Sequence, residues 1–251
     1  MDFVTDYPDK FVRTELLLGE AGMRKLAEST VAVFGIGGVG SFVVEGLARA
    51  GIGHLVLIDK DDICASNINR QLHATTKTVG QKKTEVMKAR VLDIHPKAVV
   101  DTVDAFYSAE DADAFFARHY DYVVDAIDIV AGKVSLVLEC KRRKIPIICS
   151  MGAGNKLNPA MFEVADIYKT SVDPLARIMR KKLREYGVRD LKVVYSKEVP
   201  LPVGQEDCPI GERIVGSISF VPPVAGFILA GEVVRALLAG GETPENMLWD
   251  G

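Results

Sequence analysis

Cysteine is scarce in this 251-residue chain. Cys64, Cys140, Cys149 and Cys208 are its four examples, and no two form a Cys-x-x-Cys pair. That spacing excludes a disulfide framework and a zinc knuckle. No Walker A loop occurs, nor any internal repeat, low-complexity tract or flexible linker. The N-terminus, MDFVTDYPDKFVRTELLLGE, carries acids and lacks a long apolar region, so it does not read as a secretory leader. Residues 214–231 lack charge altogether. Pro222-Pro223 would break a spanning helix near its middle, so a buried strand (ISFV) followed by a buried helix is expected there, not a membrane span. Positive charge is not in excess either. The formal net charge is −3, which argues against a polybasic nucleic-acid coat. A soluble, cytoplasmic protein without a membrane segment is the expectation.

What is present is ordinary globular material, 48% hydrophobic and 26% charged. Short Val/Ile-rich runs appear at 30–34, 54–58, 98–103, 120–126 and 145–150. Helically spaced segments separate them, at 39–50, 82–94, 110–118 and 131–144. Strands alternating with crossover helices predict an α/β, Rossmann-like, mostly parallel sheet with helices on both faces. Beyond residue 151 the pattern becomes MFEVADIY, a basic helix over 174–186, LKVVYS, ISFV and a closing helix over 223–238. We read this as a C-terminal extension of the same core. The expected organisation is one domain over 1–251: a helical arm (1–29), a nucleotide-binding half (30–150) and a substrate-side half (151–251).

The clearest local signal follows the first strand: Gly35-Ile36-Gly37-Gly38-Val39-Gly40 opens a helix. Glycines there allow a tight turn and let backbone N–H groups approach a phosphate at a helix N-terminus. Asp59 ends the second strand, where a carboxylate can accept ribose hydroxyls. These features predict a nucleotide site without choosing among NAD, FAD, S-adenosylmethionine and ATP. The following run, Ser66-Asn67-Ile68-Asn69-Arg70-Gln71, and then Gly80-Gln81-Lys82-Lys83, does choose. Asn, Arg and Lys delivered together suit the charge of a triphosphate. Asp128, closing the fourth strand's Asp-Ala-Ile-Asp, suits either a magnesium ligand or a helix cap. A nicotinamide oxidoreductase would leave Ser66–Gln71 and Lys83 unexplained.

These motifs resemble the ThiF-, MoeB- and HesA-like adenylating superfamily, which includes ubiquitin-activating enzymes, from about Arg13 to the last helix. The resemblance implies ATP and Mg2+ as cofactors and leaves room for a monovalent cation. It implies a nucleotide set of Gly35, Gly37, Gly38, Gly40, Asp59, Asp61, Asn67, Arg70, Gln71, Lys83 and Asp128, with Asp128 on the metal. Arg70, Lys83, Asp128 and Arg13 are the implied catalytic residues. Arg13 matches an arginine that dimeric members place in the partner's ATP site, so a homodimer is implied. Ile129 stands where many relatives carry Asn, and no role is transferred to it.

Further features resemble a narrower branch, the tRNA threonylcarbamoyladenosine dehydratases: Asp61-Asp62, the run Asn69–Ala74, Val124–Asp128, Arg142–Pro146, Gly152-Ala153-Gly154, Asp173-Pro174-Leu175-Ala176 and SISFVPPVAGF. The branch implies adenylation of the threonylcarbamoyl carboxylate of tRNA and its cyclisation beside the anticodon. Hydroxide is a poor leaving group; an acyl adenylate instead expels AMP, and ring closure is intramolecular. No protein nucleophile is needed. Cys208 is accordingly not expected to act as one, Cys64 is expected to be a packing residue, and His73 a packing or supporting residue. The alternative reading is an adenylyltransferase for the C-terminus of a ubiquitin-like sulfur carrier, and a sulfur-transfer or cysteine-desulfurase partner is compatible with the resemblance. Charge is segregated: residues 101–128 carry net −7, 133–144 net +4 and 177–192 net +5. The last segment supplies the tRNA-binding candidates Arg177, Arg180, Lys181, Lys182 and Arg184, expected to contact backbone phosphate.

Overall fold

A computed structural model describes residues 8–202 and 215–240. The Val/Ile runs form β1 (Thr30–Phe34), β2 (His54–Ile58), β3 (Val99–Val103), β4 (Tyr122–Asp125) and β5 (Ile147–Ser150). They are followed by β6 (Phe162–Asp166) and β7 (Lys192–Ser196). All seven join one sheet in the order β3-β2-β1-β4-β5-β7-β6, parallel except for β6, which runs antiparallel on the edge of β7. Strands covered on both faces can be apolar throughout, and β1, β2 and β4 are buried along nearly their whole length. In register, Phe34 stands beside both Ile58 and Asp125. Strand order reverses between β1 and β4, and that switch opens a crevice at the carboxyl ends of the strands.

Three helices cover one face: α2 (Gly40–Ala50), α3 (Lys83–Ile94) and, last in the chain, α7 (Val221–Leu238). The other face carries α4 (Ala112–Phe115), α5 (Val130–Arg143) and α6 (Pro174–Glu185). Helix α1 (Pro8–Glu28) lies against α2 and α7 and is interrupted at Gly19, whose φ of 69° leaves the helical region.

Two expectations need correction. ISFV is not a strand: Ile218 carries no ladder, Ser219 and Phe220 form a turn, and Val221 already begins α7. Just before Ile218, the amide of Gly216 donates to Asn155 Oδ1, its carbonyl accepts from the Asn155 amide, and the Ser217 carbonyl accepts from Asn69. β7 and β6 already complete that side of the sheet. Pro222-Pro223 sits in the first turn of α7 and starts the helix where the missing N–H groups cost nothing. That helix is long and apolar enough to cross a membrane, yet Val221, Ala225, Leu229 and Val233 are buried in the core and α2 packs along it. The expected helix over 110–118 shortens to Ala112–Phe115, and Phe115, Phe116, Tyr107 and Tyr120 cluster around Phe34.

Candidate active site

The crevice at the switch point is a cleft of about 1100 Å³. Gly35, with φ 87°, turns the chain out of β1, and a Cβ there would meet the Ala126 carbonyl oxygen at 2.6 Å. Gly40 packs equally tightly on Gly35 and does not line the cleft. Gly37 and Gly38 differ: a Cβ on Gly37 would meet nothing nearer than Gln71 at 3.9 Å. Protein packing therefore does not demand that glycine; the open cradle it leaves beside the α2 N-terminus does.

Asp59 leaves β2 beside this loop. Its carboxylate accepts the Ile36 amide at 2.6 Å and the Asp61 amide at 2.9 Å, fixing the loop and the next turn together. Beyond it, Asn67 accepts from the Cys64 amide through Oδ1 and ends a short 3₁₀ turn, Ala65–Asn67. Arg70 donates to the Ser66 carbonyl and Asn69 Oδ1, so its guanidinium is held across the cleft wall. Gln71 is buried and its Oε1 has no partner, an acceptor left over inside the cleft. Lys83, at the start of α3, is buried with its ammonium 2.7 Å from Asp61. Its neighbour Lys82 turns away to Asp62 and Asp104, which raise its pKa.

Asp128 lines the opposite wall, just before α5. The N-cap of α5 is Ile129, and no side chain caps the helix. The helix-cap alternative for Asp128 therefore drops out, leaving an exposed carboxylate facing the cleft without a partner among the described residues. Among the described residues no group of three or more His, Cys, Asp or Glu is placed to hold a metal alone. One carboxylate that shares its ion with phosphate oxygens is how Mg2+ is commonly bound. The open glycine cradle, the leftover Gln71 acceptor and the Asp128 carboxylate together fit a nucleotide with its metal.

Nine of the sequence-predicted nucleotide residues besides Gly40 and Arg13 thus meet in one cleft: Gly35, Gly37, Gly38, Asp59, Asp61, Asn67, Arg70, Gln71 and Lys83, with Asp128 facing them. Arg13 is exposed on α1 and does not line the cleft of its own chain. Sequence reasoning marked Gly152–Gly154 and Asp173–Ala176 only as branch features and gave the far wall no site role. Ser150, Gly152, Asn155 and Lys156 leave β5 into the cleft, and Pro174 and Leu175, the first turn of α6, close it. Lys156 is buried and donates to the Gly152 carbonyl at 2.6 Å.

Cys140 and Cys149 are buried, and burial pushes both thiols far above their usual range. Cys64 is exposed, contrary to the packing expectation, because it caps the 65–67 turn. Cys208 lies outside the described residues. His73 is buried with both ring nitrogens unpartnered; burial, then the charge of Lys83, lowers its pKa to about 4. A neutral packing residue is what that environment makes of it.

The ThiF family model matches residues 11–250. The chain belongs to the ThiF family. A curated relative, the tRNA threonylcarbamoyladenosine dehydratase of Bacillus subtilis (strain 168), is 46% identical over 240 residues, covering 91% of this chain and 94% of the relative. The molybdopterin-synthase adenylyltransferase of Escherichia coli is more distant, 35% identical over 51% of each chain. The solved structure of the E. coli tRNA N6-threonylcarbamoyladenosine dehydratase in complex with ATP superposes with a TM-score of 0.86 at 35% identity, covering 94% of this chain and 96% of that one.

Proposed function

We propose that this ThiF-family chain is an ATP-dependent tRNA threonylcarbamoyladenosine dehydratase. One observation carries the reading: a single cleft holds a triphosphate-suited set at one end and is closed at the other by the first turn of a basic helix. In this reading Asp59 takes the ribose, Gly37 and Gly38 the phosphates, and Asn67, Arg70 and Lys83 bind phosphate oxygens. Lys83 exchanges its Asp61 partner for phosphate. Asp128 holds Mg2+, which when bound neutralises charge on the triphosphate. The substrate carboxylate attacks the α-phosphorus and pyrophosphate leaves. A second group of the same threonylcarbamoyl side chain then attacks the acyl carbon, and AMP departs. Arg70 and Lys83 stabilise the phosphate charge in both steps.

The ATP-bound and AMP-bound relatives support the nucleotide assignment. On α6, Arg177, Lys181 and Lys182 are exposed, and among the described residues none has a carboxylate partner. They form the surface we assign to tRNA phosphate. Arg180 instead bonds back to Thr170, and Arg184 lies over the Tyr168 ring at 5.1 Å. Those two candidates hold the helix in place. We assign Arg13 to the cleft of a second copy in a homodimer, working in the cytoplasm. Mixing Arg13→Ala with Asp128→Ala subunits tests this: partial recovery of activity supports donation across the dimer, and none refutes it. The function itself is tested by nucleoside mass spectrometry of tRNA treated with the protein and ATP. Loss of the open threonylcarbamoyl nucleoside with gain of its cyclic form is expected. Pyrophosphate exchange that needs a carrier protein and ignores tRNA would instead establish the sulfur-carrier activator.

A further inference from the structure

Besides Lys83, two described lysines are buried beside a carboxylate, Lys133 beneath the cleft and Lys156 in its far wall, and neither touches the proposed nucleotide set. Lys133, on α5, is fully buried with its ammonium 2.9 Å from the fully buried carboxylate of Asp125, at the end of β4. The same ammonium donates to the Ile127 carbonyl at 3.1 Å, and Asp125 Oδ1 accepts the Ile127 amide at 3.1 Å. Both polar groups of the residue before Asp128 are therefore held by one side-chain pair. The turn carries more than Asp128. Gly35 packs on the Ala126 carbonyl so closely that a Cβ would not fit, so the glycine loop rests on the same peptide.

On the neighbouring strand the arrangement repeats. Lys156 donates to the Gly152 carbonyl at 2.6 Å and lies 3.4 Å from the buried carboxylate of Asp173. Asp173 Oδ1 accepts the Ala176 amide at 2.8 Å and so caps α6. Gly152 packs against that carboxylate, with 3.1 Å left for any Cβ. This pair joins the wall after β5 to the start of the basic helix.

Burying two charges costs desolvation that their attraction seldom repays, and an apolar pair of equal size is often as stable. What an apolar pair cannot do is hold a carbonyl and an amide of a turn. We propose that Lys133–Asp125 and Lys156–Asp173 are positioning residues that set the two ends of the cleft separately, the first for the nucleotide and the second for the acceptor substrate. The assignment of ends rests on the proposed function; the clamping of the turns does not.

The test uses full-length protein and two double variants that leave no charge buried alone. Lys133→Met with Asp125→Leu replaces the first pair by apolar side chains. Lys156→Met with Asp173→Asn removes the second while keeping a good helix cap. Amide hydrogen exchange is read over 126–130 and 152–157, and KM for ATP and for tRNA in the adenylation assay. Misplacement by about 1 Å can cost about a hundredfold in rate. The first variant is expected to fold, to exchange faster only over 126–130, and to raise KM for ATP or lower kcat by about 10- to 100-fold with KM for tRNA unchanged. The second is expected to exchange faster only over 152–157 and to raise KM for tRNA with ATP affinity unchanged. Folded variants with wild-type exchange in both segments overturn the proposal, as does one variant impairing both substrates alike. If the wild-type protein never acts on tRNA, the functional reading fails, and the exchange data still decide whether the pairs clamp the turns.

Discussion

Helices α5 and α6 look alike as strings of residues, each overlapping a basic segment of net +4 or +5, and the fold uses them oppositely. On α5, Lys133 is buried on Asp125, Lys141 pairs with Asp190, and Arg142 and Arg143 pair with Glu139 and Asp113. Its positive charge is spent on carboxylates of the protein itself, one of them buried. On α6, Arg177, Lys181 and Lys182 meet no carboxylate among the described residues and face solvent. Counting charge along a sequence therefore measures supply, and only the partners decide how much of it a ligand can feel.

The largest expected effect breaks the α5 side of this contrast. Lys133→Ala leaves Asp125 charged and buried, and is expected to cost about 3–5 kcal/mol of stability in urea unfolding. Lys181→Ala should cost less than about 0.5 kcal/mol. Equal losses would show that the two helices are not distinguished by burial. Next comes the carboxylate that α5 leaves free: Asp128→Ala is expected to slow adenylation by about a hundredfold or more without lowering Tm. Unchanged adenylation would remove the metal role.

Acid sharpens the contrast from another direction. Burial lowers His73 and His95 to about 4 from an ordinary value of 6.5. A ring kept neutral in the fold contributes full stability above pH 6.5 and loses it as pH falls through 4. Each is expected to cost on the order of 2 kcal/mol at pH 5. His73→Gln should flatten the stability–pH curve between pH 6.5 and 4, and an unchanged curve would show that the ring is not held neutral. The smallest effect belongs to α6. Arg177, Lys181 and Lys182 replaced together by Glu should leave stability within about 1 kcal/mol. The replacement should weaken tRNA binding and reduce the salt slope by about two to three charges. An unchanged slope would move the tRNA to another face.

Much of the fold was readable in advance because its signals are local. Five Val/Ile runs became five parallel strands within a residue or two, and the glycine loop, Asp59 and Lys83 fell where a switch-point crevice collects them. The misreadings share a cause. ISFV has strand composition, but Val221 and the prolines after it start α7, while Asn155 and Asn69 hold Gly216 and Ser217 just before it. Cys64 looked like filler until its place at the start of a 3₁₀ turn exposed it. Arg180 counted as free charge until the fold brought Thr170 to it.

The order of elements, the nucleotide loop and the ThiF-family motifs were determined by the sequence alone, because each depends on residues close together in the chain. The tertiary structure alone decided which lysines are tools and which are supports. Lys83 and Lys133 are indistinguishable as letters, yet one lines the cleft beside a half-exposed carboxylate and the other lies beneath it against a buried one. An ammonium's role follows from its distance to the nearest carboxylate and from the water around it, and both are properties of the packed chain.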